Sequence, residues 1–203
     1  MKKIKLINWI IILSVSIFSI FYLFFGNHEK TIYKNLIIIS IIPVMLIPSL
    51  LNKFSKFKIN PEIEFVYLIF IFFGHFLGSV LNFYYKIGIY DKLIHGLSGV
   101  MTSILAVVIL VKSKCYENNP IWVNILFIIS VTLSVAAFWE FFEFINDNIF
   151  SKDAQKVIKT GVDDTMTDMI MAFIGSIIYS VIYFIETKTK KKMVVGKFAD
   201  NIK

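Results

Sequence analysis

Six long apolar runs divide this sequence, and no other feature constrains its fold as strongly. Each run is close to the ~20 residues that an α-helix needs to cross ~30 Å of hydrocarbon. None alternates polar with apolar residues, which excludes transmembrane β-strands, and the hydrophobic content of 57% exceeds the roughly 45–50% of soluble domains. The sequence therefore predicts an all-α, polytopic transmembrane helical bundle that forms a single integral membrane domain over residues 1–203. The spans are predicted at roughly residues 7–25, 32–51, 63–82, 93–111, 121–144 and 165–185.

The distribution of lysine predicts the orientation of this bundle, because the chain contains no arginine. Of the 21 basic residues, 14 fall on one side of the predicted spans and 7 on the other. Lysine-rich connections stay in the cytoplasm, so both termini are predicted to be cytoplasmic, with residues 186–203 forming a basic tail. Such a tail suits anionic lipid headgroups, and a nucleic-acid partner is the weaker interpretation. The lysines of the larger set are Lys2, Lys3, Lys5, Lys53, Lys56, Lys58, Lys112, Lys114, Lys188, Lys190, Lys191, Lys192, Lys197 and Lys203.

Three clusters of ionisable residues interrupt the apolar runs at the ends predicted to be external. An ionisable side chain at membrane depth costs about 2.5–3.5 kcal/mol on insertion scales, so such residues are candidates for function. Within each cluster two residues are spaced by i,i+3 or i,i+4 and therefore share one helix face. A further histidine, His75, lies in the last turns of the third predicted span. The clusters are Asp91 with His95, Glu140 with Glu143, and Asp163-Asp164 with Asp168.

Small residues continue two of these helix faces. Because small residues let helix backbones approach closely in lipid, the two faces are expected to point toward each other. The fourth, fifth and sixth spans are then mutual neighbours, and the carboxyls of Glu140 and Asp168 should lie near the ring of His95. The small residues are Gly96, Gly99 and Ser103 on the fourth span, and Ala172, Gly175 and Ser176 on the sixth.

Structural explanations compete with functional ones at several of these positions. Asp91 and Asp163 could cap helix N-termini, and capping explains them as well as chemistry does. Glu143 could be solvated at the level of the headgroups, and His75 is better explained as a hydrogen-bonded packing residue. Three residues lie about one turn inside their spans, where neither capping nor open water explains them easily. These are His95, Glu140 and Asp168.

The three clusters also carry a resemblance to known families. The segment 91–99 resembles the D-x-x-x-H-x-x-x-G element of the YjdF-like bacterial inner-membrane family. Residues 139–143 are similar to its E-x-x-E-W region, and residues 164–175 resemble its closing D-T-x-x-D-x-x-x-x-x-x-G element. A looser resemblance extends to VanZ-like proteins. The resemblance implies a multi-pass protein of the bacterial cytoplasmic (inner) membrane and, in the VanZ-like case, a link to glycopeptide resistance in the cell envelope; it implies no particular reaction.

Carboxylates together with imidazole form a mixed oxygen and nitrogen ligand set that suits Zn, Mn or Fe, and Mg if oxygen ligands dominate. The first hypothesis is therefore a metal-dependent hydrolase or transferase at the external face, acting on a lipid or a lipid-linked phosphate or ester. The general base would be Glu140 or His95. The proposed catalytic residues are His95, Glu140 and Asp168. The proposed metal ligands are His95, Glu140, Glu143, Asp164 and Asp168, to which His75 and Asp91 could be added.

Two other classes of function stay open at the sequence level. The same groups could serve as a proton relay or cation site in a cation- or proton-coupled transporter. Alternatively, the polar layer could serve helix packing only, in a non-catalytic membrane scaffold. Membrane lipids are the expected partners in every case, and the sequence does not predict an oligomeric state.

Overall fold

The computed structural model describes residues 2–54 and 59–202, and within these ranges the chain is helical with no strand. The prediction of an all-α, multi-pass membrane protein with six spans is confirmed. Three lysines used to predict the orientation, Lys56, Lys58 and Lys203, lie outside the described residues. The helices long and apolar enough to cross a membrane are Lys2–Phe25, Ile32–Phe54, Pro61–Val80, Tyr90–Lys112, Ile121–Phe150 and Asp163–Thr189.

Capping residues, a proline and left-handed backbone conformations define several helix ends. Asn60 caps the third long helix by accepting a hydrogen bond from the Ile63 amide, and Pro61 follows at the favoured first position. Ser151 and Lys190 adopt left-handed backbone angles where the fifth and sixth long helices end. The elements are α1 Lys2–Phe25, α2 Ile32–Phe54, α3 Pro61–Ile71, a π-helical segment Phe72–Val80, α4 Phe83–Lys86, α5 Tyr90–Lys112, α6 Ile121–Phe150, α7 Val157–Thr160, α8 Asp163–Thr189 and α9 Val195–Ile202.

The chain forms two compact units, Met1–Asp91 and Lys92–Lys203. Helix α5 begins at Tyr90 and is continuous, so its first two residues fall in the first unit and the rest in the second. The expectation of a single integral membrane domain stays a prediction.

The first unit packs α1, α2, α3 and the π-helical segment around an apolar core. A π-helix widens the backbone and shifts its hydrogen bonds, and side chains here bind carbonyls of that segment. The Lys34 ammonium donates to the Ser79 carbonyl at 2.6 Å, and the Tyr90 hydroxyl donates to the Phe73 carbonyl at 2.8 Å. The fully buried core residues include Ile38, Ile41, Met45, Leu68 and Val80.

The first unit also buries two charged side chains among neutral partners. The Glu64 carboxylate accepts hydrogen bonds from the Asn8 amide and the Ser49 hydroxyl, both at 3.0 Å. The Lys34 ammonium donates to the Asn82 side-chain oxygen at 2.5 Å as well as to the π-helical segment. These polar contacts tie α1 and α2 to α3 and to the connection after the π-helical segment.

The second unit is built from the rest of α5 with α6, α8 and α9. Helices α6 and α8 are antiparallel, since the Asn124 amide near the start of α6 donates to the Tyr183 hydroxyl near the end of α8 at 2.9 Å. Helix α9 is attached through Glu186, whose carboxylate accepts hydrogen bonds from the first amides of α9, those of Val195 and Gly196, at 3.0 and 2.8 Å. The sequence pattern of residues 186–203 predicts a basic tail and does not indicate this terminal helix.

Helices α5 and α8 touch through their backbones. A Cβ atom added at Gly99 would overlap the Ala172 carbonyl, and one added at Gly175 would overlap the Gly96 carbonyl oxygen. Only glycine fits at these contacts, which confirms the prediction that the small-residue faces of these two spans face each other. The close approach fixes the register of α5 against α8, and the ion pair of Lys92 with Asp164, both in the first turns of their helices, shows that the two helices are parallel.

Candidate metal centre

The parallel packing of α5 and α8 brings their first turns together, and three predicted site residues meet there. Asp91, His95 and Asp168 each offer one ligand atom, and these atoms all lie within 4.8 Å of one another. The His95 Nε2 atom is 3.9 Å from Asp168 Oδ2. All three side chains are buried, with Asp168 only 2% exposed. We call these three residues the metal cluster.

The donor set of the metal cluster fits a divalent metal ion. Two carboxylates and one imidazole form the mixed oxygen and nitrogen set that Zn, Mn and Fe accept. A cationic group already lies against it: the Lys92 ammonium is 2.8 Å from Asp168 Oδ1, on the other oxygen from the one nearest His95. The buried carboxylates at this position thus bind one cationic group already, and the oxygen of Asp168 that faces His95 is the one that would bind a metal ion.

Asp164 lies one turn before Asp168 and is held between two lysines. Its Oδ1 atom is 2.6 Å from the Lys92 ammonium, and its Oδ2 atom is 3.4 Å from the Lys156 ammonium. Asp164 is thus joined to the metal cluster through Lys92, and its role as a ligand stays a prediction. Asp163, its neighbour, is exposed at the start of α8.

The two glutamates of α6 have separate environments. Glu140 is buried, and its carboxylate accepts a hydrogen bond from Gln155 at 3.2 Å. The same amide also donates to the Thr165 hydroxyl at 3.3 Å, so Gln155 connects the end of α6 to the first turn of α8. Glu143 is half-buried and accepts a hydrogen bond from Trp139, one turn earlier, at 2.8 Å. Neither glutamate belongs to the metal cluster, and their roles as ligands stay predictions.

His75 lies in the π-helical segment of the first unit. Its Nε2 atom is 3.0 Å from the Ser40 hydroxyl of α2. This contact agrees with the interpretation of His75 as a hydrogen-bonded packing residue, and a part in metal binding stays a prediction.

The sequence pattern assigns no role at the site to three polar residues around the metal cluster: Lys92, Gln155 and Lys156. The two lysines contribute only to the lysine count, although Lys92, His95 and Gly99 follow the i, i+3, i+7 spacing of one helix face. Gln155 and Lys156 are positioned by the connection between α6 and α7. In that connection the Asp147 carboxylate accepts hydrogen bonds from the Ala154 and Gln155 amides, at 2.7 and 3.1 Å.

Comparisons with known proteins agree with the membrane architecture. The model of a family described as "Predicted membrane protein (DUF2238)" matches residues 7–189, which include most of every long helix. The match is consistent with the resemblance to YjdF-like proteins without establishing that name. An uncharacterized protein of Thermotoga maritima is 35% identical over 107 residues, which are 52% of this chain and 53% of the relative, so the chain spans about half the length of that relative. No solved structure matches the chain significantly.

Proposed function

We propose that this chain, which belongs to the family of predicted membrane proteins DUF2238, is a metal-dependent hydrolase or transferase acting on a lipid or a lipid-linked envelope substrate. The observation that carries the proposal is the metal cluster, in which Asp91, His95 and Asp168 bring buried ligand atoms within 4.8 Å of one another. The lysine distribution supports placing the cluster at the external face of the bacterial cytoplasmic membrane.

The proposed chemistry assigns a role to each buried group. Asp91, His95 and Asp168 would hold the divalent ion, with three protein ligands leaving coordination positions open, as in catalytic metal sites. Such an ion supplies Lewis acidity toward a substrate oxygen. Glu140 lies outside the metal cluster and is oriented by Gln155, so we assign it as the general base. The burial of these side chains limits access of water, which strengthens electrostatic interactions at the site.

Metal analysis of detergent-purified protein tests this proposal. Wild-type protein is expected to retain close to one divalent ion per chain, and His95→Ala to retain far less, because one ligand is lost. The melting temperature of wild type should fall on addition of a chelator, since an ion that binds only the folded state stabilises it. Wild-type protein that takes up no divalent ion and melts identically with and without chelator would contradict the proposal.

A second candidate, proton- or cation-coupled transport, is favoured by the buried face of α8. Asp168 and Glu186 lie 18 residues apart on that face, which corresponds to about 27 Å of helix, close to the thickness of the hydrocarbon core. Between them the buried face carries hydroxyl groups, including that of Ser180, which has no hydrogen-bond partner among the described residues. Buried ionisable residues joined by polar side chains are a feature of proton relays.

Flux measurements separate the two candidates. If the protein is a coupled transporter, vesicles containing it should dissipate an imposed proton or cation gradient. Asp168→Asn and Ser180→Ala should then both slow the flux, whereas only the first of them should lower metal retention. Vesicles that hold the gradient as well as protein-free vesicles do would exclude the transport candidate and leave the enzyme proposal standing.

A further inference from the structure

In the ion pairs beside the metal cluster, the acids are buried and the lysines are more exposed. Asp164 and Asp168 are buried, with 7% and 2% of their side chains exposed. The two lysines paired with them are more accessible, Lys92 at 23% and Lys156 at 26%. A molecule approaching this part of the second unit therefore meets ammonium groups before it meets carboxylates. We call Lys92 and Lys156 the lysine pair.

The lysine pair is held in place by the same elements that build the metal cluster. Lys92 contacts both acids of α8, at 2.6 and 2.8 Å, and it also donates to the backbone carbonyl of Asp164 at 3.3 Å. Lys156 follows Gln155 in the connection that Asp147 anchors through backbone amides. The two ammonium groups approach opposite oxygens of the Asp164 carboxylate. The positions of the two ammonium groups are therefore set by their ion pairs with these acids.

The formal charge of this group changes sign when a divalent ion is added. Asp91, Asp164 and Asp168 supply three negative charges against the two positive charges of the lysine pair, and His95 is neutral as a metal ligand. A divalent ion turns a net charge of one negative into one positive. The buried Glu140 carboxylate, bound to Gln155, is a further acid of α6 whose charge is not included in this sum. Positive charge beside a metal is what recognition of an anionic oxygen requires.

We propose that the lysine pair is a phosphate-binding subsite, so that the substrate of the metal cluster carries a phosphate group that Lys92 and Lys156 bind next to the metal ion. This inference rests on the proposed metal-dependent function. Lysine binds phosphate as a point charge with three donors, and the donor that Lys92 directs at the Asp164 carbonyl, at 3.3 Å the longest of its three contacts, is the one that a phosphate oxygen would take. Lys92 reaches one oxygen of Asp168 while the other faces His95, so the bound phosphate would lie beside the metal ligands.

Binding of inorganic phosphate by the full-length purified protein, with and without added Zn²⁺ or Mn²⁺, tests the subsite. We expect wild type to bind phosphate at least tenfold more tightly when the metal is present. Lys92→Met should lose at least tenfold in phosphate affinity while binding the metal as tightly as wild type or more tightly, because a competing positive charge is gone. Lys156→Met should show a smaller loss, since the 3.4 Å contact of Lys156 with Asp164 is longer than the 2.6 and 2.8 Å contacts of Lys92 with the two acids.

Two matched variants control this measurement. Lys92→Arg keeps the positive charge and should retain most of the phosphate affinity, which separates loss of charge from misfolding. Lys159→Met removes an exposed lysine of α7 and should bind phosphate as wild type does. Equal phosphate binding by Lys92→Met and wild type would overturn the subsite.

A second arm distinguishes a lipid phosphate from a free one. Protein in nanodiscs of phosphatidylcholine is compared with protein in nanodiscs that also contain phosphatidic acid, and inorganic phosphate is titrated into both. Weaker binding of inorganic phosphate in the second preparation, absent in Lys92→Met, indicates that the lipid headgroup fills the subsite. Equal binding in both indicates a free phosphate or a larger phosphate ester. Metal binding without binding of either phosphate overturns the subsite alone, whereas absence of metal binding in wild type overturns the proposed function and the subsite together.

Discussion

The two units of this protein bury charge in different ways. In the first unit, Glu64 and Lys34 are held by neutral groups, the carboxylate by Asn8 and Ser49 and the ammonium by backbone and amide oxygens. In the second unit Asp164 and Asp168, the buried acids in the first turns of α8, are paired with lysine, and Asp168 also faces His95. In both arrangements the buried charge has hydrogen-bond partners, but among the described residues several metal-ligand atoms meet only where α5 and α8 begin, beside the lysine-paired acids.

This difference shows that burial of an ionisable residue does not by itself identify a functional site. A charge held by neutral dipoles ties helices together, and its partners offer a metal few strong ligands. Carboxylates beside an imidazole and an ammonium can instead exchange one cation for another. We infer that the polar contacts of the first unit serve packing and those of the second serve chemistry, and the following predictions test that division.

The largest effect is expected from loss of a ligand in the metal cluster. His95→Ala and Asp168→Asn should each lower metal affinity by more than about a hundredfold, since loss of even outer-shell partners costs about 10–100-fold. Isothermal titration of the metal-free protein measures this. Glu64→Gln is the matched control from the first unit and should leave metal affinity unchanged. A comparable loss of affinity in Glu64→Gln would erase the distinction between the units.

A smaller effect, on folding, is expected from crowding the contact between α5 and α8. Gly175→Ala places a methyl group where the Gly96 carbonyl lies, and overpacking of this kind costs about 1–3 kcal/mol. Thermal melting in detergent should show the loss, and metal affinity should fall as well because the ligands are displaced. Gly88→Ala has open space around the added methyl and should melt as wild type does. Equal melting temperatures of the two variants would show that the contact between α5 and α8 accommodates the added methyl group without loss of stability.

The neutral network of the first unit should affect stability alone. Asn8→Leu leaves the buried Glu64 carboxylate with one donor fewer, which should lower the free energy of unfolding by about 1–3 kcal/mol. Metal affinity should be the same as in wild type. The measurements are thermal melting and metal titration of the same preparation, with Asn118→Leu in an exposed connection as the control. A drop in metal affinity without a change in melting would assign the first unit a part in the chemistry.

The smallest effect is expected at the exposed start of α8. Asp163→Asn changes an exposed carboxylate next to the buried Asp164, and substitutions at such surface positions usually stay within about 0.5 kcal/mol. Melting and metal affinity should both match wild type. Asp164→Asn, by contrast, removes the charge shared by Lys92 and Lys156 and should destabilise the fold. A larger loss of stability in Asp163→Asn than in Asp164→Asn would contradict the burial of Asp164 and its ion pairs with the two lysines.

The sequence predicted the helical framework and the core of the site because both follow from local spacing. Apolar runs of membrane length predicted the six long helices, and the i,i+4 pair Asp91 and His95 had to share a face with the glycines of α5. Convergence with Asp168 then followed from the alternating direction of successive spans and from the small residues on α8. The prediction that Glu140 and Asp168 both approach His95 is supported for Asp168 by the 3.9 Å distance to the imidazole.

What the sequence could not predict depends on contacts between distant residues. The conformation that presents Gln155 and Lys156 is set by Asp147 and its hydrogen bonds to the following connection, and no periodic pattern encodes it. The attachment of α9 likewise depends on Glu186 accepting amide hydrogen bonds eight to ten residues further along the chain. The π-helical segment had no recognised sequence signature.

The backbone contact between α5 and α8 also limits how the second unit can move. Helices separated by long side chains can slide because rotamers adjust, but a carbonyl lying against a glycine has no such freedom. The two helices that carry the metal cluster therefore behave as one mechanical part. Within the second unit, an opening that admits a bulky molecule would therefore have to come from elements other than these two, such as α6 or the connection that follows it. Under the proposed function, entry and exit of a substrate would then depend on one part of the chain, while the distances between the ligand atoms of α5 and α8 stay constant in another.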